Sequence, residues 1–401
     1  MNVRVESMGF ATPFYERTQH DIGREQAQLW NLKSSSQERW ERMVHNCGIE
    51  RRAAVMPLQE IVSLTTAQRM KCFSQHAPSL AARAIEQALA RCNRTPQEIT
   101  DLIVVTCTGF ESPGPLHDIC AQSGLAPNVR TSQIGFMGCF GGICGLDAAA
   151  GAALRHEGAV VLLVCVELCS LHLRNERDAQ NMVASLLFAD GAAALIVSNT
   201  PIPSVMSLQK TPGMIHGLEQ DSVMKTKDSV AQRQALSLTV GSRQARRIPN
   251  TAEAMSWQIT DAGFAMTLDR NVPAHIESAA PSALGDLKQC AIHPGGAAIL
   301  DAMERGANAR QCGGLAPESL LAARGVLRDH GNMSSGSVFF VLDRLLQSGA
   351  TGEVGLIAFG PGLTVDRIDL TALRASTHHV HVDGSDAFEK NQRVSSEIVV
   401  G

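Results

Sequence analysis

Cys139 stands between Gly138 and Phe140-Gly141-Gly142, where an extended stretch gives way to an Ala/Gly-rich helical one. A thiol in that place can act as an acyl-accepting nucleophile. Glycines let the backbone turn sharply and let a substrate approach. The N-terminus of the following helix favours the thiolate over the thiol. The same residue can equally be one more core thiol among the 11 cysteines of the chain. A thiolate needs a proton partner, and His293, which opens His293-Pro294-Gly295-Gly296, supplies an imidazole titrating near neutrality. Asn332, in Gly331-Asn332-Met333-Ser334-Ser335, offers an amide N–H₂ that can donate to an oxygen gaining charge. Taken singly, His293 is one of 13 histidines and Asn332 a helix N-cap.

These groups need elements to hold them. Asp101–Thr106 and Val160–Val166 read as buried strands, since each is a continuous apolar run rich in β-branched residues. Thr131–Met137, Ala192–Val197, Cys290–Ile292 and Val354–Phe359 read as further strands. Helices are expected around Ser36–Cys47, over Leu64–Arg91 with a break at Pro78, and over Leu116–Ser123 with Gly124 as its stop. Others are expected over Gly141–His156, Ala252–Ala262, Ala297–Glu304 and Val338–Gln347. Alternation of this kind predicts an α/β fold with sheets covered by helices. The second half repeats the rhythm of the first without an exact repeat in its letters. A boundary falls near Asn199–Pro203. From about Thr371 the chain turns polar, and residues 374–401 read as a surface tail.

Length and composition set the frame. The chain has 401 residues, a net charge of −4, 44% apolar and 18% charged residues. Such a chain can fill a large core and is not a disordered one. The charge balance gives no support to a nucleic-acid-binding surface. The longest apolar run, Ala159 to Val166, is too short to cross a bilayer, which takes about 20 residues. With no signal peptide at the start, the expected location is the cytoplasm, where thiols stay reduced. No metal site is expected, because no pair of cysteine ligands at zinc spacing is followed by a second pair.

Cys139 in its turn, Phe188-Ala189-Asp190-Gly191, His293-Pro294-Gly295-Gly296, Gly331-Asn332-Met333-Ser334 and Phe359-Gly360-Pro361-Gly362-Leu363-Thr364 occur in that order. The chain resembles the type III polyketide synthases, the chalcone-synthase-like family, from about Arg39 to Leu370. The resemblance implies the thiolase-like fold, two similar halves in a five-layered α/β/α/β/α core. The halves would be residues 1–200, carrying the nucleophile, and 201–373, carrying the histidine and asparagine. It implies an acyltransferase that loads an acyl-CoA starter on Cys139, decarboxylates malonyl-CoA and condenses the two repeatedly. Cyclisation would follow, of pyrone, resorcinol or phloroglucinol type. Coenzyme A thioesters are then substrates, no cofactor is permanently bound, and the assembly is a homodimer.

Carried over by position, Cys139, His293 and Asn332 are the catalytic triad. Phe188 and Phe264 fall where the family has its gatekeeper phenylalanines, and His172 where plant members have a small cavity-lining residue. Ser334, Gly295, Gly296, Gly360, Pro361 and Gly362 are expected around the substrate. Arg42, Arg51 and Arg52 are candidates for the coenzyme A phosphates. The Ser112-Pro113-Gly114 loop would lie near the dimer interface, with Ser112 where plant members often have Met. Two rival readings use the same residues. One is a condensing enzyme like ketoacyl-carrier-protein synthase III; the other is an acyl-thioester hydrolase working through Cys139 and His293.

Overall fold

The computed structural model describes residues 2–199 and 236–374. The first of these stretches contains β1 (Arg4–Ala11), β2 (Tyr15–Thr18), α1 (Gln19–Leu29), α2 (Ser34–Asn46), β3 (Arg51–Ala54), α3 (Leu58–Ile61) and α4 (Thr66–Cys92). It continues with β4 (Asp101–Val105), α5 (Leu116–Gln122), β5 (Arg130–Ile134), α6 (Gly141–Ala153), β6 (Val160–Leu168), α7 (Ala179–Leu187) and β7 (Asp190–Ser198). The second contains β8 (Leu236–Arg247), β9 (Met255–Thr260), β10 (Gly263–Leu268), α8 (Val272–Leu284), β11 (Gln289–Ile292) and α9 (Ala297–Asn308). It ends with α10 (Pro317–His330), α11 (Ser337–Gln347), β12 (Gly352–Gly360) and β13 (Thr364–Arg374).

One sheet runs β11-β12-β13-β8-β1-β7-β6-β4-β5. Its halves share a pattern. In the first, β4 and β6 are parallel, β7 is antiparallel to β6, and β1 antiparallel to β7. In the second, β11 and β12 are parallel, β13 is antiparallel to β12, and β8 antiparallel to β13. Helices α4 and α5 cover the outside of the first half, α6 and α11 lie between the halves, and α8 and α9 cover the outside of the second. This is a mixed α/β fold in five layers. The strands that read as unbroken apolar runs, β4, β6 and β7, are buried along their whole length, as strands sandwiched between helix layers must be.

The structure departs from the sequence expectation in several places. Helix α4 runs unbroken through Pro78. An internal proline costs about 3 kcal/mol, but Phe73, Ala77, Ala81, Ala84, Ile85 and Ala88 all bury against the sheet, and that outweighs it. The stretch expected as a helix at Ala252–Ala262 is instead the strand β9, in a hairpin with β10 that pairs Trp257 with Met266 and Ile259 with Phe264. Met255, Trp257 and Ile259 alternate with Ser256, Gln258 and Thr260, a period of two rather than 3.6. Helix α6 ends at Ala153 rather than His156. The sequence reads as polar and aperiodic from about Thr371, yet β13 runs to Arg374 and its Ala372 is buried. The boundary expected at 199–203 falls almost wholly outside the described residues, as does the tail beyond Arg374. No described helix is long and apolar enough to cross a membrane.

Candidate active site

Cys139 occupies a single 3₁₀ turn, Gly138–Phe140, that runs into α6. Gly138 has φ +68°, and a Cβ on it would lie 2.4 Å from Pro361 Cδ. Only glycine meets both conditions. A Cβ on Gly360 would likewise lie 2.3 Å from the Phe140 ring. The Gly360-Pro361 segment at the end of β12 is thus seated on the Cys139 turn, a packing role that the sequence did not suggest. The Gly138 N–H donates to Cys107 Sγ at 3.0 Å.

Asn332 enters from the other half. Its backbone N–H donates to Leu187 O at 2.8 Å, and its carbonyl accepts from Ala189 N at 2.9 Å, so it bridges to Phe188 as a short strand would. Its Oδ1 accepts the Ser334 N–H at 2.9 Å. That bond fixes the amide, because only the oxygen can accept, and leaves Nδ2 as the free donor, with both amide atoms 4.0 Å from Cys139 Sγ. Ser334 has φ +49°, a conformation that a non-glycine residue holds only when its neighbours enforce it.

His293 lies at the end of β11, its N–H donating to Ile357 O of β12 at 2.8 Å. The imidazole is 1% exposed, and neither ring nitrogen has a hydrogen-bond partner. Two buried, unpaired nitrogens cost free energy unless a ligand meets them. Cys139 and Asn332 are therefore brought together, while His293 sits at a neighbouring strand end without a hydrogen bond to either.

Electrostatics sharpen the picture. Burial pushes the Cys139 thiol up to about 12, against smaller lowering by the Ser334 and Asn332 side chains, with the Glu167 carboxylate pushing the same way as burial. Burial pushes His293 down to about 3. A helix N-terminus offers about 1 kcal/mol toward the thiolate, and burial of the thiol works against it.

Phe188 is buried, and its carbonyl accepts from Arg52 Nη1 at 2.6 Å. Arg52 also donates through Nε to Gln19 Oε1 at 2.8 Å and is 4% exposed. This corrects the expectation for Arg52: it is committed to the interior and is not offered to a phosphate. Arg42 and Arg51 are exposed, Arg51 beside Glu16 at 3.4 Å. Asp190 behind Phe188 accepts from Ser170 N and Oγ and from Val55 N, and burial raises it to about 6.

The apolar wall differs from expectation too. Phe188 clusters with Cys169, Ala184, Cys139, Leu187, Trp257 and Met266. Trp257 meets Phe188 edge-on, with ring centroids 5.3 Å apart. Phe264 lies one ring further along, 5.8 Å from Trp257 and stacked on His172 at 3.8 Å. The sequence reading missed Trp257 because it took Ala252–Ala262 for a helix, and it assigned no element to the stretch that holds Met266. It also missed Glu167, a fully buried carboxylate that accepts from Ser335 Oγ at 2.6 Å, Thr108 Oγ1 at 2.7 Å and Cys107 N at 3.0 Å. Gly295 and Gly296 follow His293, and a Cβ on Gly296, whose φ is +144°, would lie 3.4 Å from the Leu187 side chain.

The family description "Chalcone and stilbene synthases, N-terminal domain" matches residues 17–201, and "Chalcone and stilbene synthases, C-terminal domain" matches residues 239–374. Among solved structures, the C-terminal type III polyketide synthase domain of "Steely1", a type I/III hybrid from Dictyostelium, matches with a TM-score of 0.78 and 25% identity. That match covers 92% of this chain and 99% of the other. A glycine-cradled thiol, a pinned carboxamide and an unpaired imidazole at the meeting of two like halves thus accompany two successive family matches, and the chain belongs to the chalcone and stilbene synthases, the type III polyketide synthases.

Proposed function

We propose that Cys139 takes the acyl group of a coenzyme A thioester starter, with His293 and Asn332 serving the condensation that follows. The observation that carries this is the Asn332 carboxamide, held by the Ser334 N–H with its free donor Nδ2 and its oxygen both 4.0 Å from the Cys139 sulfur. In the loading step the thiol proton passes to neutral His293 as sulfur attacks the thioester. It then passes to the departing coenzyme A sulfur. In the next step malonyl-CoA loses carbon dioxide. The electron pair of the broken carbon–carbon bond moves onto the thioester oxygen, where Asn332 Nδ2–H and His293 N–H would donate. The resulting enolate carbon attacks the acyl group on Cys139 and returns the sulfur. Phe188, Trp257 and Met266 shield the carboxylate from water, which favours its departure as a neutral gas. The poly-β-keto chain would then close as a pyrone, resorcinol or phloroglucinol.

Residues 1–200 and 201–373 form the two halves in this reading, and Ser334, Gly295, Gly296 and the Gly360-Pro361-Gly362 segment border the substrate. Arg42 and Arg51 are the exposed cations left for the coenzyme A phosphates. A homodimer fits the edge strand β5, whose side chains are mostly exposed, together with Phe136 at 63% exposure beside it and the exposed Ser112-Pro113 loop. A second copy would cover that edge. Eleven free thiols suit a cytoplasmic enzyme.

The test incubates the full chain with a panel of acyl-CoA starters and malonyl-CoA. Intact-protein mass would show an acyl adduct lost in Cys139→Ala, and product masses would show added two-carbon units. Release of free acid alone, with no new carbon–carbon bond, would overturn the proposal.

A further inference from the structure

Arg52 lies in β3 with its side chain running inward, 4% exposed. Burial lowers its pKa to about 10, so it is charged near pH 7. An apolar side chain of the same length would fill the space without taking a charge out of water. What the guanidinium does there follows from its partners. Nη1 donates to Phe188 O at 2.6 Å, and Nε donates to Gln19 Oε1 at 2.8 Å. Gln19 is itself aimed, because its Nε2 donates to Leu186 O at 3.0 Å and so turns Oε1 toward Arg52.

The segment that Arg52 grips is the one that holds Asn332. Along Leu187–Ala189 the backbone polar groups alternate sides, as in an extended strand. Leu187 O and Ala189 N face Asn332 and make its two backbone bonds, at 2.8 Å and 2.9 Å. Phe188 O faces the other way and meets Arg52. The arginine stem reaches the second strand of the bridge as well. Gly331 has φ +70°, and a Cβ on it would lie 2.9 Å from both Cγ and Cδ of Arg52. One side chain thus touches both sides of the Phe188–Asn332 bridge. The Cys139 turn rests on other groups, Pro361 against Gly138 and Cys107 Sγ on the Gly138 N–H.

We infer that Arg52 is the positioning residue for the Asn332 carboxamide, acting through the Phe188 peptide, and that it serves malonyl-CoA decarboxylation rather than starter loading. The inference rests on the reading of Asn332 as a donor to the thioester oxygen. Without the guanidinium, the Phe188 carbonyl is left buried with no donor. The Leu187–Ala189 segment then turns toward another donor, and the two bonds to Asn332 carry that shift to Nδ2. A displacement of about 1 Å is enough to spoil a donor whose use depends on its aim. In this role Arg52 touches neither substrate, and the thiol that takes the starter is left in place.

The experiment uses the full-length enzyme with Arg52→Met, which keeps an apolar stem and removes the donors, and with Arg52→Lys, which returns one charged donor. Both are made alone and in an Asn332→Ala background. Decarboxylation is read as the rate of acetyl-CoA formation from malonyl-CoA. Loading is read as the rate at which one medium-chain acyl-CoA adds its mass to Cys139. Arg52→Met is expected to slow decarboxylation by about 10²-fold and loading by less than about twofold. Arg52→Lys is expected to regain about tenfold of that loss. In the Asn332→Ala background Arg52→Met is expected to add less than about threefold, since a residue acting through Asn332 has nothing left to act on. Equal slowing of the two steps overturns the inference, and so does the full loss persisting in the Asn332→Ala background. A wild-type enzyme that gains no adduct and forms no acetyl-CoA overturns the site reading instead. Should Arg52→Met fail to fold, Gln19→Met decides the matter, because it keeps the cation and removes what aims it. Decarboxylation slowed about tenfold with loading retained supports the inference; any other pair of rates overturns it.

Discussion

Two helix starts meet at the centre of the molecule, and they are built in opposite ways. In the first half the chain enters α6 through Gly138–Phe140, and in the second it enters α11 through Ser334–Gly336. Both are single 3₁₀ turns, both precede a helix of the middle layer, and they abut: a Cβ on Gly142 would lie 2.3 Å from Ser335 O. The first entry flanks its thiol with Gly138 and Gly141-Gly142, and its left-handed residue is a glycine. The second is dense with side-chain bonds. Asn332 Oδ1 holds the Ser334 N–H, Ser337 Oγ holds the Met333 N–H, and Ser335 Oγ donates to Glu167. The nucleophile proposed here needs access, and glycines flank it. A carboxamide needs a fixed orientation, so its turn spends hydrogen bonds on holding it.

The hardest break in this comparison comes at the sulfur. Cys139→Ala is expected to lower product formation by about 10⁴-fold or more and to abolish the acyl adduct, as read by intact mass and product yield. An adduct in undiminished yield would end the assignment of the nucleophile to the first helix start. At the second start, Asn332→Ala removes one donor and should slow malonyl-CoA decarboxylation by about 10²–10³-fold while slowing starter loading less. Equal loss in both steps would mean that the amide serves the fold rather than the oxyanion.

The contact between the two starts is tested by a pair of glycines in α6. Gly142→Ala forces a methyl onto Ser335 O and should cost about 1–3 kcal/mol in chemical denaturation. Gly151→Ala, with nothing within 4 Å of its Cβ, should instead gain up to about 1 kcal/mol of helix propensity. Similar values for the two would show that the starts do not press on each other.

The smallest effect separates the halves by pH. His172 in the first half and His293 in the second have native pKa values of about 4 and about 3, both lowered by burial. The unfolded chain protonates them first, so their stability contribution is full above about 6.5 and is lost as pH falls toward those values. Each should cost about 1.4 kcal/mol per pH unit in that window. Asp190, raised to about 6 by burial, has the opposite sign. Its contribution is full below the usual carboxylate range and lost as pH rises through about 6, so between pH 4 and 6 it offsets one imidazole. Thermal melts from pH 7 to 5 should fall in the wild type and flatten in His172→Phe. An equal slope in both would show that His172 is solvated.

Much of this was legible in the sequence where one force dominates. The buried strands β4, β6 and β7 announce themselves as apolar runs, because helices cover both their faces. Cys139 and Asn332 were singled out from residue type and glycine context, and the structure brings the two together. What stayed hidden depends on partners distant in the chain. Strand β8 reads as polar, since its pairing with β13 lets Arg243 reach Asp366 at 2.6 Å. Arg52 looked like a surface cation and proves to be an internal tie for the Phe188 carbonyl, a role visible only once β3 and α7 are placed together. The pinning of Asn332 by Ser334 needs a left-handed serine, which no local propensity announces.

The seam of the large sheet carries a further consequence. Among the described residues, strands β1 and β8 pair Arg4 with Thr239 and Val5 with Leu238, residues more than 230 positions apart in the chain. During synthesis the amino-terminal half can assemble around β7, but one border of β1 stays bare until the far strand leaves the ribosome. Closure of so long a loop is slow, and a bare strand border is sticky while it waits. Yield of soluble enzyme should therefore respond to translation speed and to chaperone supply more than to the stability of either half.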